Sequence, residues 1–564
     1  MLSCFWKAVA QTARIGKYAV MFQAAPQPPR TLSEQASATM TRRSGIRLMA
    51  GATLAAGFLP WSHWGTTKAR EYHVSLSPQA ILEDPEFPAT LKGAGVSCVW
   101  LAGFFYGHWP WPLASLQTAR DRLERAGLET RVVNVPLGHP GDSLGSKDGS
   151  FPLTPPSRWR LGTTSDGKTY AGTSLHPPAT EENMAALRNL RESGFTQVFL
   201  DDDFRLARGP GQIGGCFCEE HRTRFLHRVG LPPARWPELL DDVRSRRMTS
   251  LLRAWVEFTC DELASSFRAQ RQAAGGRLGI MVMYLGAEKA GIRLQDYRGD
   301  CFRVGELMFD DAGFNPLKGK TDELFSVLFH RRFVAPELAY SETTAYPSDR
   351  LSAANLGAKL VISTLADVRH TMFMSGVTPF PKTHWTTLAP LMKRQADFHR
   401  VLAGHKLRGP FKHYWGEASR FCGDDRPFSL FLAAGIPFEV TDPPARDGWT
   451  FLSEADAKAA ATGQLSSPGT QFVSRLPPAS TSAVESCEES LDSLFAYKGR
   501  LDGKTPFVEN AEPAILGWYP SAHAALLWNP TADRRTFTVR YGGRSREVTI
   551  EGLDSALLRD LVLK

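Results

Sequence analysis

The sequence predicts an α/β protein: a (β/α)8 barrel, then a small α/β domain, then a C-terminal β-sandwich. Three observations carry this. Between residues 70 and 404, eight short strand-like segments alternate with amphipathic helical stretches, the pattern of a closed parallel sheet wrapped by helices. One of those segments runs from Val198-Phe199-Leu200 straight into Asp201, Asp202 and Asp203, and barrels place catalytic groups at the C-terminal ends of their strands. Beyond residue 405 the elements become shorter and finish in alternating strands. A doubly wound sheet competes with the barrel, but no Gly-rich dinucleotide turn follows the first strand.

The first 69 residues stand apart. Thr41-Arg42-Arg43-Ser44-Gly45-Ile46-Arg47-Leu48 leads into an apolar, small-residue run that reaches Leu59 and ends near Ala69. Paired arginines, a short apolar stretch and a small residue at its exit make a twin-arginine export signal. The run is too short to span a bilayer. The expected location is therefore periplasmic or secreted, with no stable membrane anchor and translation starting at Met40.

That segment also explains the charge. Residues 1–69 hold eight Lys/Arg and one Glu, so of the formal +8 only about +1 belongs to the remainder. No later Lys/Arg run tracks phosphates, which excludes nucleic acid as a partner. Apart from Cys4, seven cysteines are scattered along the chain, with Cys216 and Cys218 the one close pair. This is not the framework of a disulfide-stapled domain.

In chain order, the barrel region (70–404) is expected to place strands at 71–76, 96–105, 129–136, 195–202, 277–285, 304–310, 337–341 and 370–374. Helical patterns lie between them at 113–126, 181–192, 236–274, 322–332, 353–366 and 385–403. Residues 405–510 read as a small α/β domain, with a helix at 428–434, strands at 437–440 and 449–452, and a helix at 454–461. A Pro/Ser/Thr-rich connector at 476–482 interrupts it. Strands at 524–528, 536–541 and 545–550 form a small β domain over 511–564.

The loops after the strands suit a polar, ring-shaped ligand. Tyr106, His108, Trp109 and Trp111 follow the second strand, and His384 and Trp385 follow the eighth. Flat aromatic faces stack on the apolar side of a sugar ring, while His and Asp bond its hydroxyls. Asp201 and Asp202 join this substrate-binding set. So do Tyr284 with Glu288 after strand five, and Asp310 and Asp311 at the end of strand six. Just past the triple Asp, Cys216, Cys218 and His221 have metal-ligand spacing. A disulfide or free thiols beside an ordinary helical His is the alternative.

Two stretches resemble glycoside hydrolase family 42 β-galactosidases. Phe199-Leu200-Asp201-Asp202-Asp203-Phe204 is similar to the family's strand-four motif. Cys216-Phe217-Cys218-Glu219-Glu220-His221, followed by Arg222-Thr223-Arg224-Phe225, resembles its Cys-Tyr-Cys-x-x-Cys segment and the helix after it. Ala434-Gly435-Ile436-Pro437 and 451–457 are similar to its second domain. The resemblance implies a flavodoxin-like domain over 405–510 and a trimer, with the chain standing in a divergent sister family. It also implies that Asp203 occupies the acid/base position, Asp202 replaces an Asn that contacts the sugar 2-hydroxyl, and Glu342 is the nucleophile at the end of strand seven. Glu288 is a reserve acid/base. A structural zinc is implied on Cys216, Cys218, His221 and His176, the last standing near the place of the family's first Cys; no organic cofactor is implied.

The function expected from these readings is an exported glycosidase cleaving a β-linked oligosaccharide. The two acids would act by a retaining mechanism if about 5–5.5 Å apart and an inverting one at about 6.5–9.5 Å. A catalytically inactive carbohydrate-binding barrel is the alternative, supported by the Asp at both 202 and 203. A lyase would need a base such as Tyr340 drawn to Arg350, and nothing in the sequence draws them together.

Overall fold

The computed structural model describes residues 70–137, 155–170, 175–201, 204–207, 211–282, 284–475, 484–501 and 503–561. The export segment, the 476–482 connector, Asp202 and Asp203 lie outside the described residues. Eight strands form a closed parallel barrel: β1 (Glu71–Leu76), β2 (Cys98–Phe105), β3 (Glu129–Val135), β4 (Val198–Leu200), β5 (Leu278–Met281), β6 (Cys301–Val304), β7 (Ala339–Ser341) and β8 (His370–Phe373). Their order is β1-β8-β7-β6-β5-β4-β3-β2. Helices follow the strands: α1 (Leu113–Arg125), α2 (Ala179–Glu192), α3 (Ser250–Ala273), α4 (Leu317–His330), α5 (Ala353–Leu365) and α6 (Lys382–Leu402). After β5 the connection is two short 3₁₀ turns instead, Glu288–Ala290 and Leu294–Tyr297. No helix among the described residues is long and apolar enough to cross a membrane.

Two expectations need correction. The sixth strand, expected at 304–310, is Cys301–Val304. Its inward residue is Arg303, and a charge at mid-strand breaks the apolar run on which the sequence reading relied. The single helix expected over 236–274 is two, Trp236–Ser245 and α3. Arg246 takes a left-handed φ of 51°, and Thr249 then caps α3 by accepting from the Leu252 N–H.

The lower barrel is filled by rings. Side chains alternate along each strand, so Phe199 on β4 points inward against Trp100 on β2 and Tyr340 on β7, with centroids 4.6 and 4.9 Å away. Gly279 on β5 makes room for it: a Cβ there would lie 2.4 Å from Phe199 Cε1. The same alternation carries Asp201 inward one layer above Phe199, and Glu342 inward one layer above Tyr340.

Beyond the barrel, five parallel strands form a second sheet: β9 (Phe411–Tyr414), β10 (Phe438–Thr441), β11 (Trp449–Leu452), β12 (Gln471–Ser474) and β13 (Val484–Ser486), in the order β10-β9-β11-β12-β13. It docks on the turn after β5 through charges. Lys289 Nζ lies 2.5 Å from Asp425 and donates to the Ser419 and Gly423 carbonyls, while Glu288 pairs with Arg420. Two three-stranded antiparallel sheets end the chain. One contains β14 (Phe507–Val508), β17 (Arg535–Tyr541) and β18 (Arg544–Ile550); the other contains β15 (Ile515–Tyr519), β16 (Ala524–Trp528) and β19 (Ser555–Arg559). Val508, Phe537 and Val539 from the first share a core with Leu516, Leu527 and Leu558 from the second.

Candidate active site and candidate metal centre

At the C-terminal mouth of the barrel, acids from two strands meet on one arginine. Asp201, the residue after β4, is held by its own N–H donating to the Asn134 carbonyl at 2.7 Å. Its Oδ1 lies 2.6 Å from Arg303 Nη2. The same Nη2 lies 3.3 Å from Oε1 of Glu342, which follows β7. Both acids touch one nitrogen, so their nearer oxygens stand within about 6 Å of each other. All three side chains are buried.

The network continues behind Glu342. Its Oε2 accepts from the Glu306 N–H at 3.1 Å. The Glu306 carboxylate takes Lys359 Nζ of α5 at 2.8 Å, and Lys359 also lies 3.5 Å from Glu323 of α4. Glu323 accepts from the Leu307 and Met308 N–H groups. Burial pushes the Glu342 carboxyl up to about 8, against the opposing pull of Arg303 and the Glu306 N–H. Burial also raises Glu323 well above the usual carboxylate range. Burial alone would lower Lys359, but Glu306 and Glu323 outweigh it and the ammonium stays charged. Burial thus favours the neutral form of Glu342 and Glu323, while Asp201 lies against Arg303 and Glu306 against Lys359. The sequence reading missed Arg303, Glu306, Glu323 and Lys359; the available signal was a lone charge in each of two apolar elements, Cys301-Phe302-Arg303-Val304 and α5.

The remaining predicted residues are dispersed. Tyr106 is fully buried with φ 53°, and its N–H donates to the Val135 carbonyl. His108 closes a tight turn by paired backbone bonds with Phe105 and is part-exposed, as is Trp109, whose ring packs on Phe104 at 5.4 Å. Tyr284 is buried with φ 37°. Asp310 and Asp311 stand six and seven residues past the end of β6. Asp310 caps a short helix by accepting from the Gly313 N–H at 2.7 Å, and Asp311 accepts from the Ser352 N–H and Asn355 Nδ2. Trp385 lies in the core of α6 against Phe373 at 5.5 Å, with His384 part-exposed beside it. Trp385 therefore offers no open ring face, and Glu288 is committed to Arg420.

The cysteine segment forms a tight cluster. Gly215 takes φ 116°, where a Cβ would strike Trp255 at 2.6 Å, and the Phe217 N–H donates to Thr163 O at 2.8 Å. Cys218 is the N-cap of the helix Glu219–Val229, which carries His221 back one turn later. One ligand atom each from His176, Cys216, Cys218 and His221 lies within 4.8 Å of all the others, and all four residues are buried. Donors 2.0–2.3 Å from a zinc at the corners of a tetrahedron sit about 3.3–3.8 Å apart, so a small contraction closes the site. Both cysteines are free thiols. His176 Nδ1 faces Glu220 at 3.4 Å, which turns Nε2 towards the sulfurs, the usual outer-sphere arrangement for a ligating imidazole. The donor set fits zinc.

A second group within metal reach, Glu71, His73 and His370, lies at the N-terminal end of the barrel. There the Trp100 indole, which can only donate, gives its N–H to His73 Nδ1 at 3.0 Å. The hydrogen of His73 therefore sits on Nε2, facing Glu71 at 3.3 Å, and that nitrogen has no lone pair for a metal. A cavity of about 500 Å³ on the same side, lined by Glu129, Arg131, Gln197 and Arg277, is remote from the acid cluster.

No protein-family model matches the chain, and no curated protein matches it in sequence. Among solved structures it is similar to the α-L-fucosidase isoenzyme 2 from Paenibacillus thiaminolyticus, at 11% identity over 87% of this chain and 73% of that one, with TM-score 0.45. It is also similar to a β-galactosidase from Rahnella sp. R3, at 10% identity over 88% of this chain and 98% of that one, with TM-score 0.55. At such identity the latter likeness is one of fold: the chain shares the architecture of that β-galactosidase over most of both lengths.

Proposed function

We propose that the chain is an exported glycosidase of a divergent sister family to glycoside hydrolase family 42, acting on a β-linked oligosaccharide by a retaining mechanism. The observation that supports this is the convergence of Glu342 and Asp201 on Arg303 at the C-terminal mouth of an eight-stranded barrel. In this reading Glu342 Oε attacks the anomeric carbon as the bond to the leaving oxygen breaks, and Asp203 donates the proton to that oxygen. Asp203 then takes a proton from water, whose oxygen attacks the same carbon and releases Glu342. Asp202 and the part-exposed His108, Trp109 and His384 are the sugar-contacting groups. Asp201 is a partner of Arg303.

The reading extends to the rest of the chain. Cys216, Cys218, His221 and His176 would hold a structural zinc, which would tie the segment before α2 to the segment after β4 and to the helix carrying His221. The second sheet is flavodoxin-like, supported by its strand order, in which the second strand is outermost and the first lies next to it. The two last sheets are a β-sandwich, supported by their shared core. A trimer through the second domain and a periplasmic or secreted location complete the proposal.

The test is release of 4-nitrophenol from a panel of 4-nitrophenyl glycosides by the purified protein, with Glu342→Gln and Asp203→Asn each lowering turnover by several orders of magnitude. Near-normal turnover in either variant removes that residue from the mechanism. An inactive carbohydrate-binding barrel is the second reading, and one feature favours it: burial pushes the Glu342 carboxyl up to about 8, whereas a nucleophile must be ionised. Sugar binding without release of 4-nitrophenol at any pH up to 9 would select it.

A further inference from the structure

We infer that Arg303 is a positioning residue shared between Asp201 and Glu342, and that Asp201 governs how much of the guanidinium charge reaches Glu342. The inference rests on the reading of Glu342 as the nucleophile, and it concerns how that carboxylate is kept or released from its proton.

The argument is geometric. A guanidinium ordinarily meets a carboxylate with two parallel N–H bonds. Here one nitrogen, Nη2, serves two carboxylates, and Asp201 holds the shorter contact, 2.6 Å against 3.3 Å. The other terminal nitrogen, Nη1, faces the thioether sulfurs of Met374 and Met372 at 3.0 and 3.9 Å, which are weak acceptors. Arg303 projects from β6 into a barrel interior where its side chain is 1% exposed, so water does not screen the competition. Among the described residues, the other groups facing Glu342 are already committed. Glu306 gives its N–H to Glu342 but its carboxylate to Lys359, and Lys359 is shared with Glu323.

Two acids on one guanidinium nitrogen compete for its charge, and each disfavours ionisation of the other. Asp201 holds the shorter contact, and it opposes the ionisation of Glu342 while Arg303 favours it. The two neighbours therefore act on Glu342 with opposite signs. Neutralising Asp201 hands Arg303 to Glu342, while neutralising Arg303 takes the cation away.

Infrared difference spectroscopy across pH 5 to 10 on the full-length free protein tests this without any substrate. The protonated carboxyl band that vanishes in Glu342→Gln marks the residue, and its midpoint in the unaltered protein is expected at about 8. In Asp201→Asn the midpoint is expected to fall by about one pH unit or more, and in Arg303→Met to rise by a similar amount, with Arg303→Lys lying between. A loss of packing alone does not move the midpoint in opposite directions. Midpoints that stay put, or move the same way in both variants, overturn the inference. If Arg303→Met fails to fold, Asp201→Asn decides alone, and an unchanged or raised midpoint is the refuting result. The glycosidase reading fails separately: full 4-nitrophenyl glycoside turnover in Glu342→Gln would sink it while leaving the charge coupling intact.

Discussion

Glu342 ties the stability of this barrel to pH, and replacing it with Gln should untie it. In the unfolded chain its carboxyl titrates near 4.5, and in the folded protein burial holds it up to about 8. A raised folded-state value means that the stabilisation is fully present below about 4.5 and is lost as the pH climbs through about 8. Over that interval the unfolded chain gives up its proton freely while the native state cannot, a bias of about 1.4 kcal/mol per pH unit. Summed from the lower value to the upper, the loss approaches about 5 kcal/mol for this one group, a figure of the same order as the whole stability of many domains. Glutamine keeps the shape, and its carbonyl oxygen can still accept from the Glu306 N–H, but it has nothing to titrate. The expected outcome is that Glu342→Gln is progressively more stable than the unaltered protein between pH 5 and pH 8, with the difference growing at about 1.4 kcal/mol per unit. Urea unfolding followed by tryptophan fluorescence at half-unit pH steps measures it. A difference that is flat with pH would refute the claim that Glu342 is buried with its proton.

Three further outcomes follow from the same packing. Lys359→Met leaves Glu306 a buried acid without its cation, and should cost about 3–5 kcal/mol in chemical denaturation at pH 7, shrinking as acid supplies the missing proton; a cost under about 1 kcal/mol would mean that the pair is solvated. Gly279→Ala drives a methyl into the Phe199 ring and should destabilise by about 1–3 kcal/mol, with Phe199→Leu partly rescuing it, so the double variant should be more stable than the sum of the single losses. One zinc per chain is expected by plasma mass spectrometry after purification, and Cys216→Ser should lose it and melt several degrees lower; a zinc-free protein with the same melting temperature as the Cys216→Ser variant would remove the metal from the account.

The parts of this architecture that were legible in the sequence are those with a repeating apolar signal. β1 (Glu71–Leu76) and β11 (Trp449–Leu452) fall where the sequence places them, and each of the other barrel strands except β6 lies within its expected span or within two residues of it. The β6 boundary was missed because Arg303 sits at an inward position that an apolar reading assigns to Val or Ile. Trp385 was misread for the opposite reason: an aromatic beside His384 and a Pro-rich turn looks like a ligand platform, but helical spacing turns its ring into the core against Phe373 and Phe380. Asp310 and Asp311 are short acids at a helix start: Asp310 caps it, and Asp311 reaches across to the Ser352 N–H and Asn355 Nδ2. The association of His176 with the Cys216 segment required chain reversal across forty residues, and only the resemblance to a known motif reached that far.

The buried charge network is the feature that local rules explain least. Asp201, Arg303, Glu306, Glu323, Glu342 and Lys359 are all nearly inaccessible to solvent, and taking six ionisable groups out of water is expensive even when each finds a partner. Apolar residues of similar volume would often serve stability as well or better. One layer below, Trp100, Phe199 and Tyr340 fill the same cross-section with rings. The change from aromatic to ionic filling occurs at the C-terminal ends of β4, β6 and β7, where a barrel of this type does its chemistry. Such a departure from apolar packing at the strand ends is what a site kept for function looks like.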